Sequence, residues 1–126
     1  MAEFIYKDYS CELKFGEKVY TLPLNEQTAE LIEKTLAPNA VLPTLTNMED
    51  INAFYDKVMD SVDAILGEGS ADEIMSCFKH PGTMELLSVI NFIVTEWETQ
   101  YSAIVADMKK TANIPNRETR RNRQRQ

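Results

Sequence analysis

Few residues in this 126-residue chain are spaced for chemistry. The one histidine, His80, stands in the stretch KHPG. A general base needs an orienting partner and a proton to abstract within hydrogen-bond reach. No nucleophile–base spacing accompanies His80, so it reads as a turn residue. Asp56, Asp60 and Asp63 recur at helical steps and could offer carboxylates to a divalent cation. Mg²⁺ and Ca²⁺ sites, however, gather oxygens from several segments. No EF-hand loop is present, and the stripe reads as a solvated face opposite an apolar one. Gly67-Glu68-Gly69-Ser70 precedes a predicted helix, a place where anions can bind. Asp72 and Glu73 oppose an anion there, and no P-loop lysine follows. The stretch reads as a helix–helix connection. Without a CxxC or Cys/His cluster, no metal is expected. The reading is therefore non-enzymatic, with no cofactor.

Two features suit a partner better than a substrate. Trp97, Tyr101, Ile104 and Met108 form a stripe at helical spacing. Such a stripe packs into a core or offers aromatic and methionine side chains to another helix. The second feature is the ending NIPNRETRRNRQRQ. It holds every arginine of the chain: Arg117, Arg120, Arg121, Arg123 and Arg125. It could be a solvated end, a phosphate-binding tail, or a dock for an acidic protein, since the guanidinium fork binds carboxylate and phosphate in bidentate fashion. With Glu118 the tail is net +4, which leaves −11 on the rest of a chain of net charge −7. That acidic body repels nucleic acid, and no aromatic residue is interleaved in the tail for base stacking. Nucleic acid is therefore disfavoured. A solvated end comes first and a protein contact second.

The elements that must carry these residues are legible. Phe4, Tyr6, Cys11, Leu13, Phe15, Val19, Tyr20, Leu22 and Leu24 fall in alternating runs around Gly16-Glu17. This predicts a β-hairpin over about 4–24. Asn25 caps a helix through about Leu36, with Ala29, Ile32 and Leu36 on one side and Pro38 stopping it. Thr46-Asn47-Met48-Glu49 reads as a capping box. Ile51, Phe54, Tyr55, Val58, Val62, Ile65 and Leu66 then recur at three- and four-residue steps until Gly67. Ser70-Ala71-Asp72-Glu73 reads as a second capping box, opening a short helix with Ile74, Cys77 and Phe78. After His80-Pro81-Gly82, Thr83 caps a segment to about Thr111. It is apolar on most sides to Val94 and narrows to one stripe from Trp97 onward. That segment is about 43 Å long at ~1.5 Å per residue. A domain of this length has a diameter near ~36 Å, so the last turns are expected to project.

The fold expected is α+β and mostly α: the hairpin packed on about four helices spanning 26–111. Residues 1–112 form one domain, and 113–126 a disordered Arg-rich tail. A domain of this size needs no disulfide. Cys11 and Cys77 read as reduced core thiols. No signal peptide is read at MAEFIYKDYS, and no run is long and apolar enough to span a bilayer.

AILGEGSADEIMSCF, the hairpin FGEKVYTLPLN, the long closing helix and the terminal NRETRR together resemble small proteins of siphophage tail modules. Within those modules the chain resembles the tail assembly chaperones encoded beside the tape measure protein. The likeness covers most of the chain, and LGEGSADEIM is its most diagnostic stretch. It implies a non-enzymatic role in the cytoplasm of a bacterial host. There the chaperone binds the long, helical, aggregation-prone tape measure protein, keeps it soluble, recruits tail tube subunits and stays out of the virion. It further implies that a longer frameshifted product can exist, with the Arg tail at the junction. Self-association through the stripe is also open. The other readings are a structural tail or head–tail component and a nucleic-acid-associated protein acting through the tail.

Overall fold

The chain reverses direction at Gly16, whose φ of 64° suits glycine. A two-residue turn with positive φ at its first position brings Phe15 opposite Lys18. From there β1 (Ser10–Phe15) pairs antiparallel with β2 (Lys18–Pro23) as far as Ser10 opposite Pro23. Cys11, Leu13 and Leu22 point inward and are buried, whereas Glu12, Lys14, Val19 and Thr21 point outward and are exposed. The computed structural model describes residues 1–39 and 47–112.

The hairpin is shorter than the aromatic pattern suggests. Residues 4–9 are not strand, and Phe4, Ile5 and Tyr6 are 75–90% exposed. The reason is the lack of a partner. Leu24 N–H still donates to the Tyr9 carbonyl at 3.0 Å. One residue later Asn25 turns the chain into a helix, so nothing continues opposite residues 4–8.

Asn25 does cap α1 (Glu26–Leu31), accepting from Thr28 N–H at 2.9 Å. The helix widens into a π-helical stretch over Ile32–Leu36 and closes with a 3₁₀ turn at Ala37–Asn39. Asn39 Nδ2 donates back to the Thr35 carbonyl at 2.7 Å. Ile32 and Leu36 are buried, as their spacing predicts. The cap of α2 (Met48–Leu66) is Asn47, which accepts from Asp50 N–H at 2.9 Å. The box beginning at Thr46 is displaced by one residue, and Thr46 itself lies outside the described residues. Gly67, at φ 114°, ends α2.

Short α3 (Ser70–Met75) and long α4 (Thr83–Ala112) complete the fold. Helix α4 starts with the Gly82 carbonyl accepting from Leu86 N–H at 2.9 Å, so Thr83 is its first residue and not its cap. The core joins every layer: Leu13 and Leu22 from the hairpin, Ile32 and Leu36, Val58 and Val62 from α2, Ile74 and Met75 from α3, and Leu86, Ile90, Ile93 and Trp97 from α4. Each large aliphatic side chain so enclosed contributes roughly 1.5–3 kcal/mol. The molecule is thus α+β and mostly helical, with an N-terminal antiparallel hairpin and a long C-terminal helix.

Candidate partner-binding surface

The stripe on α4 divides where the hairpin stops covering it. Trp97 is 5% exposed, and its indole Nε1 donates to the Pro23 carbonyl at 3.0 Å. One turn on, Tyr101 stacks on Trp97 with centroids 5.0 Å apart and planes at 12°. Between them Gln100 bonds the outer edge of β1. Its Oε1 accepts from Glu12 N–H at 3.3 Å, and its Nε2 donates to the Glu12 carbonyl at 3.2 Å. This turn of α4 therefore grips the hairpin at both strands. Trp97 belongs to the core and is not free for a partner; Tyr101 is half-covered.

Beyond Tyr101 no described side chain of α4 is buried. Ile104 and Val105 are half-exposed and Met108 is 49% exposed. They continue the stripe for about two turns, with the exposed Lys109 and Lys110 at its far end. Arg117, Arg120, Arg121, Arg123 and Arg125 lie outside the described residues.

A second apolar surface escaped the sequence reading because three elements build it. Phe15 at the hairpin tip, Ile74 and Phe78 around α3, and Val89 and Phe92 of α4 line a groove of about 320 Å³. Phe15 and Phe92 meet edge to face at 5.3 Å. An ion pair between Lys18 and Glu73 ties the same hairpin tip to α3. The shared hydrogen bond raises the Lys18 pKa and lowers that of Glu73. Burial, with the charge of Glu73 adding to it, pushes the nearby Tyr20 hydroxyl up.

The remaining candidates resolve individually. His80 is exposed in the turn before α4. Asp56 and Asp60 face solvent, but Asp63 does not belong to a purely solvated stripe. Its Oδ1 accepts from Ala71 N–H at 2.8 Å and faces the Ser70 hydroxyl at 3.4 Å. The N-terminus of α3 is thus capped by a carboxylate reaching across from α2. Gly69, at φ 85°, is the formal cap residue, so Ser70 is buried inside the first turn and does not open a capping box. The anion-attracting end of this helix is occupied by the chain's own carboxylate. Among the described residues no cluster of His, Cys, Asp and Glu is placed to hold a metal ion.

The cysteines differ. Cys11 is buried, and burial, aided by the charges of Glu96 and Glu12, pushes its thiol up to about 11. Cys77 is exposed, not a core thiol as its apolar neighbours suggest. Helix α3 ends at Met75, and the turn that follows leaves Cys77 outside while Phe78 folds in. Among the described residues no helix is long and apolar enough to cross a membrane.

Comparison of the chain with protein-family models, with curated proteins and with solved structures finds no match.

Proposed function

We propose that this protein is a non-enzymatic tail assembly chaperone of the siphophage type. It binds the tape measure protein in the host cytoplasm and aids assembly of the tail tube around it. The observation that carries the reading is the division of α4. Its first half is committed to the core through Trp97, while beyond the half-covered Tyr101 the half-exposed Ile104 and Val105 and the exposed Met108 offer an apolar strip on a preformed helix. A strip of that kind accepts an amphipathic helical client, with residues at i, i+3, i+4 and i+7 as anchors. The acidic body keeps such a complex soluble. The sequence resemblance names the client, and the helix supplies a surface of the right kind. Co-expression with the tape measure protein tests this. Expected is a soluble, co-purifying complex whose formation does not require DNA. A tape measure protein that aggregates equally with and without this chain would refute the reading. Recovery of this chain in purified virions would favour a structural tail component.

A further inference from the structure

Each edge of the hairpin is bonded by α4 at one residue. Because Phe15 and Lys18 close the turn, alternate pairs exchange ladder hydrogen bonds, and the backbone groups of Ser10, Glu12 and Lys14 on β1 and of Val19 and Thr21 on β2 point outward. Gln100 occupies those of Glu12, and Trp97 occupies the outward carbonyl of Pro23. Among the described residues nothing bonds the outward groups of Val19 and Thr21. Val19 is 49% exposed. Such an edge templates a further strand. The same chain carries a segment suited to it: Glu3-Phe4-Ile5-Tyr6-Lys7-Asp8, which precedes β1 outside any helix or strand and leaves its apolar side chains uncovered.

We infer that this arm of one copy adds as a third, antiparallel strand to the outer edge of β2 of a second copy. One register matches the two chemically. Ile5 opposite Val19 joins two exposed aliphatics. Phe4 then lies opposite Tyr20, an aromatic cross-strand pair, and Lys7 stands beside Glu17. The parallel arrangement with Ile5 beside Val19 places Glu3 against Glu17 instead, a like-charge pair. The arm cannot reach its own edge. Lys7 must stand at the hairpin tip, yet it is joined to Ser10 at the opposite end through only Asp8 and Tyr9. Three residue steps span roughly 10 Å, whereas the strand length to be crossed is about 17–20 Å. The occupant is therefore another copy. Donor arm and acceptor edge are different surfaces, so two copies that exchange arms close into a dimer, and a copy that gives its arm without receiving one leaves an edge for a third.

The test uses the full chain without any client, so its outcome is separate from that of the chaperone reading. Sedimentation of the wild type is expected to show mass rising with concentration above that of the monomer. Phe4→Asp with Ile5→Asp removes the arm's contacts, and Val19→Pro removes an outward N–H that the β1 ladder does not use. Each variant alone is expected to remain monomeric, and an equimolar mixture to form a 1:1 complex that grows no further, since one arm and one edge remain intact. Should Val19→Pro fail to fold, the exposed charges serve instead. Lys7→Glu or Glu17→Lys alone weakens association, and the two together in one chain restore it. A wild type that stays monomeric at every concentration, variants that assemble as well as the wild type, or a mixture that remains monomeric overturns the proposal.

Discussion

Truncation of Trp97 to alanine measures how firmly α4 is committed to the hairpin. The change removes a buried aromatic side chain, for which such truncations cost about 3–5 kcal/mol. It leaves the Pro23 carbonyl without its donor, which adds about 1 kcal/mol. It also strips Tyr101 of its stacking partner, worth about 0.5–1.5 kcal/mol. These contributions overlap, so the expected loss is about 4–5 kcal/mol, a large share of the ~5–15 kcal/mol that holds a domain together. Trp97→Phe keeps most of the apolar area and loses the hydrogen bond, so about 1–2 kcal/mol is expected. Met108→Asp, in contrast, changes a side chain half in solvent and is expected to stay within about 0.5 kcal/mol. Urea unfolding followed by far-ultraviolet circular dichroism reads all three, since helix content does not depend on the one tryptophan. A Trp97→Ala protein within 1 kcal/mol of the wild type, or a Met108→Asp protein as damaged as it, would refute the division of α4.

Other outcomes follow from the same geometry. Asp63→Ala removes the carboxylate that caps α3 and should cost about 1 kcal/mol, with Asp63→Asn milder, in the same urea assay; no loss would show the cap to be idle. The Lys18–Glu73 pair sets a pH window. The Glu73 pKa is lowered, so the contribution holds above the ordinary carboxylate value of about 4.3 and fades as pH falls through the lower folded value. The Lys18 pKa is raised, so the contribution holds below about 10.4 and fades as pH rises through the higher folded value. Lys18→Met should therefore melt lower than the wild type near neutrality and match it at both extremes. For the thiols, maleimide labelling should modify Cys77 in the folded protein and Cys11 only on unfolding. Because the Cys11 pKa rises to about 11, stability should fall with pH from about 8.5 upward, and Cys11→Ala should lose that slope.

How far the sequence carried this account depends on whether an element's neighbours lie close in the chain. The turn at Gly16, the amphipathic period of α2 and the all-round apolarity of the first half of α4 are local signals, and each places its element. Phe4 and Tyr6 misled because their alternation is that of a strand, and alternation does not say whether a partner strand exists. The course of the chain past Leu24 decides that. Asp63 looked like any outward aspartate, since its partner, Ala71, lies beyond a loop whose geometry two positive-φ glycines set. The groove at the hairpin tip draws on three elements and leaves no periodic trace. On α4 the period showed which face is apolar but not where the body ends along it. Trp97 and Met108 share one stripe, and only the reach of the hairpin separates a core residue from an exposed one.

Under the proposed function, a helical client seats on the strip beyond Tyr101. The decisive measurement is binding of a purified tape-measure fragment to the variant carrying Ile104→Ser and Met108→Asp, by isothermal titration calorimetry beside thermal melting of the same sample. The variant is expected to melt nearly as the wild type does and no longer to bind the fragment. A variant that melts as the wild type and binds with undiminished affinity would contradict it.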